Sequence, residues 1–184
     1  AYMASIKAFS GLLELRRPDL LPHSRRVATL SMKMAKLAGL NDHDCQSVYI
    51  AGLLHDIGKI GLSDGILNTK FIELPFPEAK AYRKHPLMGE AALNTLEDMK
   101  EVGAIIRSHH EYFNGTGFPN ALAGQAIPIG ARIVAIVEAY EELQSGDYAK
   151  EASSAPDAVR VILSNRGTLF CPDMTDIFVQ ALQG

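Results

Sequence analysis

Apolar residues recur at three- and four-residue intervals along most of this chain, while the two-residue alternation of a half-buried strand is weak throughout. That pattern predicts an all-α fold. Ile6, Phe9, Leu12 and Leu13 share one face of a helix over residues 5–15. Arg16-Arg17-Pro18 ends it, because the residue before a proline avoids the helical region. A second helix over 22–38 buries Val27, Leu30, Met34 and Leu37 and stops at Gly39 and Asn41. A third, over 42–56, carries the stripe Ile50, Leu53 and Leu54. Residues 58–77 read as a loop with short helical turns, punctuated by glycines and prolines. Helix returns over 78–96, broken by Pro86, and over 100–110. Residues 114–125 hold Gly115, Gly117, Pro119 and Gly124 and read as a long loop, a kind of segment that often carries function. Pro128 opens a helix over 129–143, and two more follow at 156–164 and 173–182.

The 184 residues suit one domain over 1–184, with 1–4 read as a linker or a remnant, since Met3 is not the first residue. A net charge of −3 argues against a general grip on duplex nucleic acid, which needs a basic surface. Apolar runs fall short of a membrane span, and no basic-then-apolar leader is evident. Cys45 and Cys171 form no CxxC pair, which argues against a zinc ribbon or a disulfide framework and for a reducing, cytoplasmic setting.

The chemistry concentrates in histidines and in acids set among apolar residues. His55-Asp56 closes the apolar run Ile50, Ala51, Leu53, Leu54. Burying Asp56 is costly unless it is paired or binds a cation. Lys59 follows by three residues and faces the same site if the helix continues one turn. His109-His110 diverge on a helix, but serve one cluster at a helix end or each bind a different metal of a pair. Glu138 is the one acid in an apolar run that starts at Ala131. Imidazoles and carboxylates of this kind suit a paired-metal site, which answers the needs of phosphodiester hydrolysis. Each piece alone has a plainer reading. His23 can start a helix, His85 before Pro86 can end a segment, His109-His110 can be a solvated helix end, and Glu138 can pair with Arg132. The signal lies in the set.

In chain order the set reads His23-Ser24-Arg25-Arg26-Val27, then His55-Asp56-Ile57-Gly58-Lys59-Ile60, then His85-Pro86 with Gly89. His109-His110-Glu111, Gly115-Thr116-Gly117-Phe118-Pro119, the helix leading to Glu138, and Gly167-Thr168-Leu169-Phe170-Cys171-Pro172 complete it. The combination resembles the HD-GYP family of the HD phosphohydrolase superfamily, over nearly the whole chain. The resemblance implies a helical bundle with two or three divalent ions, iron or manganese, that hydrolyses cyclic di-GMP to pGpG or GMP. Matched by motif, it implies His23, His55, Asp56, His85, His109, His110 and Glu138 as metal ligands, with Asp56 as the bridge. Asp19 matches a position that serves a third metal in some members. The resemblance also implies Asp56 and Lys59 as the catalytic pair, with Lys59 on the scissile phosphate and Gly117, Phe118 and Lys150 on the substrate side. Attached or interacting sensor, receiver or diguanylate cyclase domains are the partners it implies, beside the cyclic dinucleotide.

The chain departs from the family pattern at several places. Phe118 stands for tyrosine, Asn114 for aspartate, and Glu138 and Glu141 each for aspartate. Ser145-Gly146-Asp147-Tyr148-Ala149-Lys150 replaces a motif near the guanine-phosphate site, with Asp147 where an arginine is usual. These changes keep open a phosphohydrolase for another nucleotide and a catalytically silent binding module.

Overall fold

The computed structural model describes residues 2–147 and 149–184, so Ala1 and Tyr148 lie outside the described residues. Among them run α1 (Tyr2–Arg16), α2 (Leu20–Leu37), α3 (Asp42–Leu54), α4 (Asp64–Leu67), α5 (Phe76–Tyr82), α6 (His85–Leu93), α7 (Lys100–Ser108), α8 (Ile129–Ser145), α9 (Ala155–Ser164) and α10 (Pro172–Gln183). No strand occurs among the described residues, only isolated bridges such as Asn114 with Ala123, which closes the loop after the His-His pair. The fold is all-helical, as the periodicity predicts. No helix among the described residues is long and apolar enough to cross a membrane.

Apart from Arg132, the first half of α8 is apolar all round, which is the signature of a helix enclosed by others. Ile133, Val134, Ile136 and Val137 are all fully buried there. Around it pack α2, α3, α7, α9 and α10. Val27 and Met34 of α2, Val48 and Leu54 of α3, Ile106 of α7 and Phe178 of α10 share one core with it. Side-chain caps fix several helix starts. Asn41 accepts from the Asp44 amide, Ser63 from Ile66 and Ser154 from Asp157.

The structure moves several boundaries from their expected places. The region around Pro86 is two helices rather than one broken helix, and Pro86 sits in the first turn of α6. The early amides of a helix lack intrahelical partners, so a proline there removes nothing. Pro22 in α2 and Pro77 in α5 obey the same rule, and their helices begin earlier than expected. The third helix stops at Leu54, and a 3-10 segment, Ile57–Gly61, carries Lys59. Leu12 and Leu37, expected to face the core, are 50% and 46% exposed at the edges of their stripes.

The 3-10 segment lies directly on the start of α6. A Cβ at Gly58 would stand 1.9 Å from the His85 carbonyl oxygen and 2.8 Å from the Gly89 amide nitrogen. Both are backbone atoms and neither can swing aside. We expect G58A to lower stability by about 1–3 kcal/mol in urea unfolding. G65A, whose Cβ would meet nothing within 4 Å, is the control and should melt no lower than the parent.

Candidate metal centre

Three histidines stand at or just beyond helix C-termini, where the last carbonyls lack intrahelical partners. His55 Nδ1 donates to the Gly52 carbonyl at 2.7 Å, His85 Nδ1 to that of Tyr82 at 2.8 Å, and His109 Nδ1 to that of Ile106 at 2.5 Å. A carbonyl only accepts, so each Nδ1 carries the proton and a neutral ring keeps its lone pair on Nε2. The Nε2 atoms of His85 and His109 are buried without a hydrogen-bond partner among the described residues, while that of His55 faces the Asp56 and Glu138 carboxylates. The same carbonyl contact fixes each ring's orientation, as in metal-ligating histidines generally.

These nitrogens converge. His23, His55, Asp56 and Glu138 each offer one donor atom within 4.8 Å of the others, and His85, His109 and His110 do the same beside them. All seven are buried. Asp56 reaches both groups. Its Oδ2 is 3.3 Å from His55 Nε2, and its Oδ1 is 3.9 Å from His85 Nε2 and 3.1 Å from Lys59 Nζ. Glu138 Oε2 lies 2.7 Å from His55 Nε2 and 3.1 Å from His23 Nε2.

The electrostatics follow from burial against these contacts. Burial lowers the pKa values of His85, His109 and His110, with His109 at about 4, so these rings stay neutral and able to ligate. His55 goes the other way. Burial opposes its charge, but Asp56 and Glu138 outweigh burial and hold a proton on it. A cation beside the two carboxylates can take that proton's place, which ties metal uptake to proton release. Burial would raise Asp56, yet His55 and Lys59 keep it well below the usual carboxylate range. Neutral imidazoles facing ionised carboxylates, with bare buried nitrogens and oxygens between them, form a donor set that fits divalent ions.

The other expected residues lie around this centre. Asp19 precedes His23 by one turn, but Arg17 holds both of its oxygens, at 2.7 and 2.5 Å. Arg132, a partner weighed for Glu138, donates instead to the Ile127 carbonyl. Glu141 accepts from Arg26 at 2.9 Å. Phe118 stacks on His110, with ring centroids 4.8 Å apart and 14° between planes. Gly117 lies against the His110–Tyr112 backbone, where a Cβ would come within 2.4 Å of the His110 carbonyl. Lys150 is exposed in the segment after α8. His43, outside the motif set, pairs on the surface with Glu101.

Two residues have structural weight at the site that the sequence reading does not assign: Glu142 is not singled out, and Glu111 enters only as part of the His-His motif. Glu142, one turn after Glu138, is buried, and burial together with Glu138 pushes its carboxyl well above the usual range. Glu111 is 2% exposed and accepts from the Asn120 and Leu122 amides at 2.6 and 3.0 Å, so it ties down the loop that carries Gly117 and Phe118. We expect E111A to cost about 1.5–3 kcal/mol of stability in thermal or urea unfolding, as charge-assisted hydrogen bonds do. By loosening the ring stacked on His110, it should also weaken metal binding by about 10-fold or more.

The centre is flanked by two openings of opposite character. A polar groove is lined by Arg17, Lys59, Lys70, Tyr82 and Asp147. Lys59 reaches from it to Asp56, its ammonium 5.1 Å from the centre of the Tyr82 ring. An apolar cavity is lined by Tyr112, Phe170, Leu143 and Ile162 together with His109, Glu138 and Glu142.

Comparison with known proteins gives the chain a family. The chain is 33% identical over 157 residues to the cyclic di-GMP phosphodiesterase response regulator RpfG of Xanthomonas campestris, covering 84% of this chain and 41% of that protein. It is 30% identical over 183 residues to the 3'3'-cGAMP-specific phosphodiesterase 3 of Vibrio cholerae, covering 99% of this chain and 40% of that one. The chain thus spans about two fifths of the length of these curated relatives. In structure it superposes on an HDG"Y"P protein of Bdellovibrio bacteriovorus with a TM-score of 0.71 at 24% identity, over 88% of this chain and 52% of that one. The family model described as HD domain matches residues 7–174, which takes in every histidine of both groups as well as Asp56 and Glu138. The chain belongs to the HD domain family.

Proposed function

We propose that this domain is a metal-dependent phosphodiesterase that opens a cyclic dinucleotide, cyclic di-GMP foremost, to linear pGpG and on to GMP. The observation that carries the reading is the position of Asp56. One of its oxygens faces each histidine group, and Lys59 stands 3.1 Å away at the groove. His23, His55, Asp56 and Glu138 would hold one divalent ion and His85, His109 and His110 a second, with Asp56 shared; iron or manganese suits this mixture of nitrogen and oxygen donors. Such ions, when bound, supply charge to a phosphoryl oxygen and make water acidic enough to attack at neutral pH.

The chain's own groups complete the chemistry. Asp56 holds Lys59 through one oxygen, at 3.1 Å, and faces His55 with the other, at 3.3 Å. The Lys59 ammonium stays charged, because the attraction of Asp56 outweighs its burial. It is placed to hold a non-bridging phosphate oxygen and to stabilise the charge that grows on it. Arg17 and Lys70 give the groove further positive charge for a dianionic ligand. The setting we propose is cytoplasmic, under the control of sensor, receiver or diguanylate cyclase domains, attached or separate.

Turnover tests the reading directly. Protein purified without oxygen and loaded with Fe2+ or Mn2+ should convert cyclic di-GMP to pGpG or GMP, and chelation should stop it. A panel with 3'3'-cGAMP and linear dinucleotides then ranks substrates, since Asp147 puts an anion in the groove where the resemblance places a cation. Absence of product from every member of the panel in both metal forms would refute an enzymatic role.

A further inference from the structure

Glu142 is buried beside the groups just described, and no step above uses it. Its side chain is 4% exposed, and its Oε1 lies 3.8 Å from His23 Nε2, the same nitrogen that Glu138 approaches at 3.1 Å. Its Oε2 is buried without a hydrogen-bond partner among the described residues, and so is Glu138 Oε1. Both glutamates also line the apolar cavity. Two buried carboxylates one helical turn apart, converging on one imidazole, need a proton or a cation between them.

The nearby side-chain cations are engaged elsewhere. Arg26 is held by Glu141, Arg132 by the Ile127 carbonyl and Lys59 by Asp56. Among the described residues no lysine or arginine nitrogen lies within 4.0 Å of either the Glu138 or the Glu142 carboxylate. Asp19, the acid that sequence spacing offered to His23, is taken up by Arg17. Glu142 also stands apart from the four donors that lie mutually within 4.8 Å.

We propose that Glu142 is a metal ligand, holding a further divalent cation together with Glu138, whose Oε1 is left without a partner among the described residues. The assignment rests on the metal reading of the two groups above and adds a position to it. Two carboxylates suit an oxygen-preferring ion such as Mn2+.

The test is a Mn2+ titration of the metal-free chain, followed by the paramagnetic resonance signal of free Mn2+ and by thermal melting. E142Q keeps the side chain's shape and removes its charge. Without metal, E142Q should melt at or above the parent, because an amide can donate to Glu138 where two carboxylates had met. With Mn2+ it should bind one equivalent fewer, or bind its weakest equivalent about tenfold or more loosely, and gain less in melting temperature. E142A is the second variant should the buried amide disturb folding, and the same loss of Mn2+ is expected. Equal stoichiometry and affinity in parent and variant overturns the assignment and leaves the two-group reading standing. So does a variant destabilised without metal whose metal-induced rise is unchanged, since that marks a purely structural carboxylate. If the parent itself takes up no Mn2+, the metal reading falls and this assignment falls with it.

Discussion

Asp56→Asn is expected to cut cyclic dinucleotide hydrolysis by about 10³-fold, equivalent to about 4 kcal/mol of transition-state stabilisation. The asparagine keeps the shape of the side chain but removes the charge that faces both histidine groups, 3.3 Å from His55 and 3.9 Å from His85. It also removes the anion that Lys59 contacts at 3.1 Å. Three donor groups are affected by one substitution, so rate and metal content should fall together. Steady-state kinetics beside metal analysis of the same preparation checks this. Circular dichroism should show the helical content of the parent, because the core around α8 is untouched. Parent-like turnover in D56N would show that the carboxylate does not join the two groups.

Lys59→Met is expected to act on rate alone. If the ammonium stabilises charge on the phosphate, its loss should lower kcat by about 10²–10³-fold, as loss of one well-placed donor typically does. Metal content should stay at the parent's value, because Lys59 is no metal donor and methionine fills much of the same space against Tyr82. That contrast separates the two roles: D56N loses metal and rate, K59M loses rate and keeps metal. A K59M enzyme with parent kcat would place the phosphate elsewhere, away from the groove.

Much of this site is visible in the sequence, because its residue types are out of place where they occur. Asp56 and Glu138 are acids inside apolar helical runs, and His109-His110 directly precedes a glycine-rich stretch. The structure brings all seven expected ligands into two adjacent groups. Periodicity could not reveal how the rings are aimed. Each of His55, His85 and His109 is oriented by a carbonyl three residues back, and that contact depends on where a helix ends. Helix ends are the least legible part of a pattern, as Pro86 and the early start of α2 show. Glu142 directly follows Glu141 near the end of α8, so apolar residues do not frame it as they frame Glu138. The usable signal was its spacing of four from Glu138, which puts both on one face of α8. Asp19 shows the converse. Its spacing to His23 was plain, but the nearer Arg17 captures it, a local competition that motif matching does not weigh.

The central claim is that the two groups hold neighbouring cations joined through Asp56, and magnetic resonance on the Mn2+-loaded chain tests it most directly. Metal analysis should count two or more equivalents per chain, and the spectrum should show spin-coupled ions rather than isolated ones, with the coupling lost in D56N. A saturated protein that holds a single ion, or whose ions give only the six-line signal of isolated Mn2+, would contradict it.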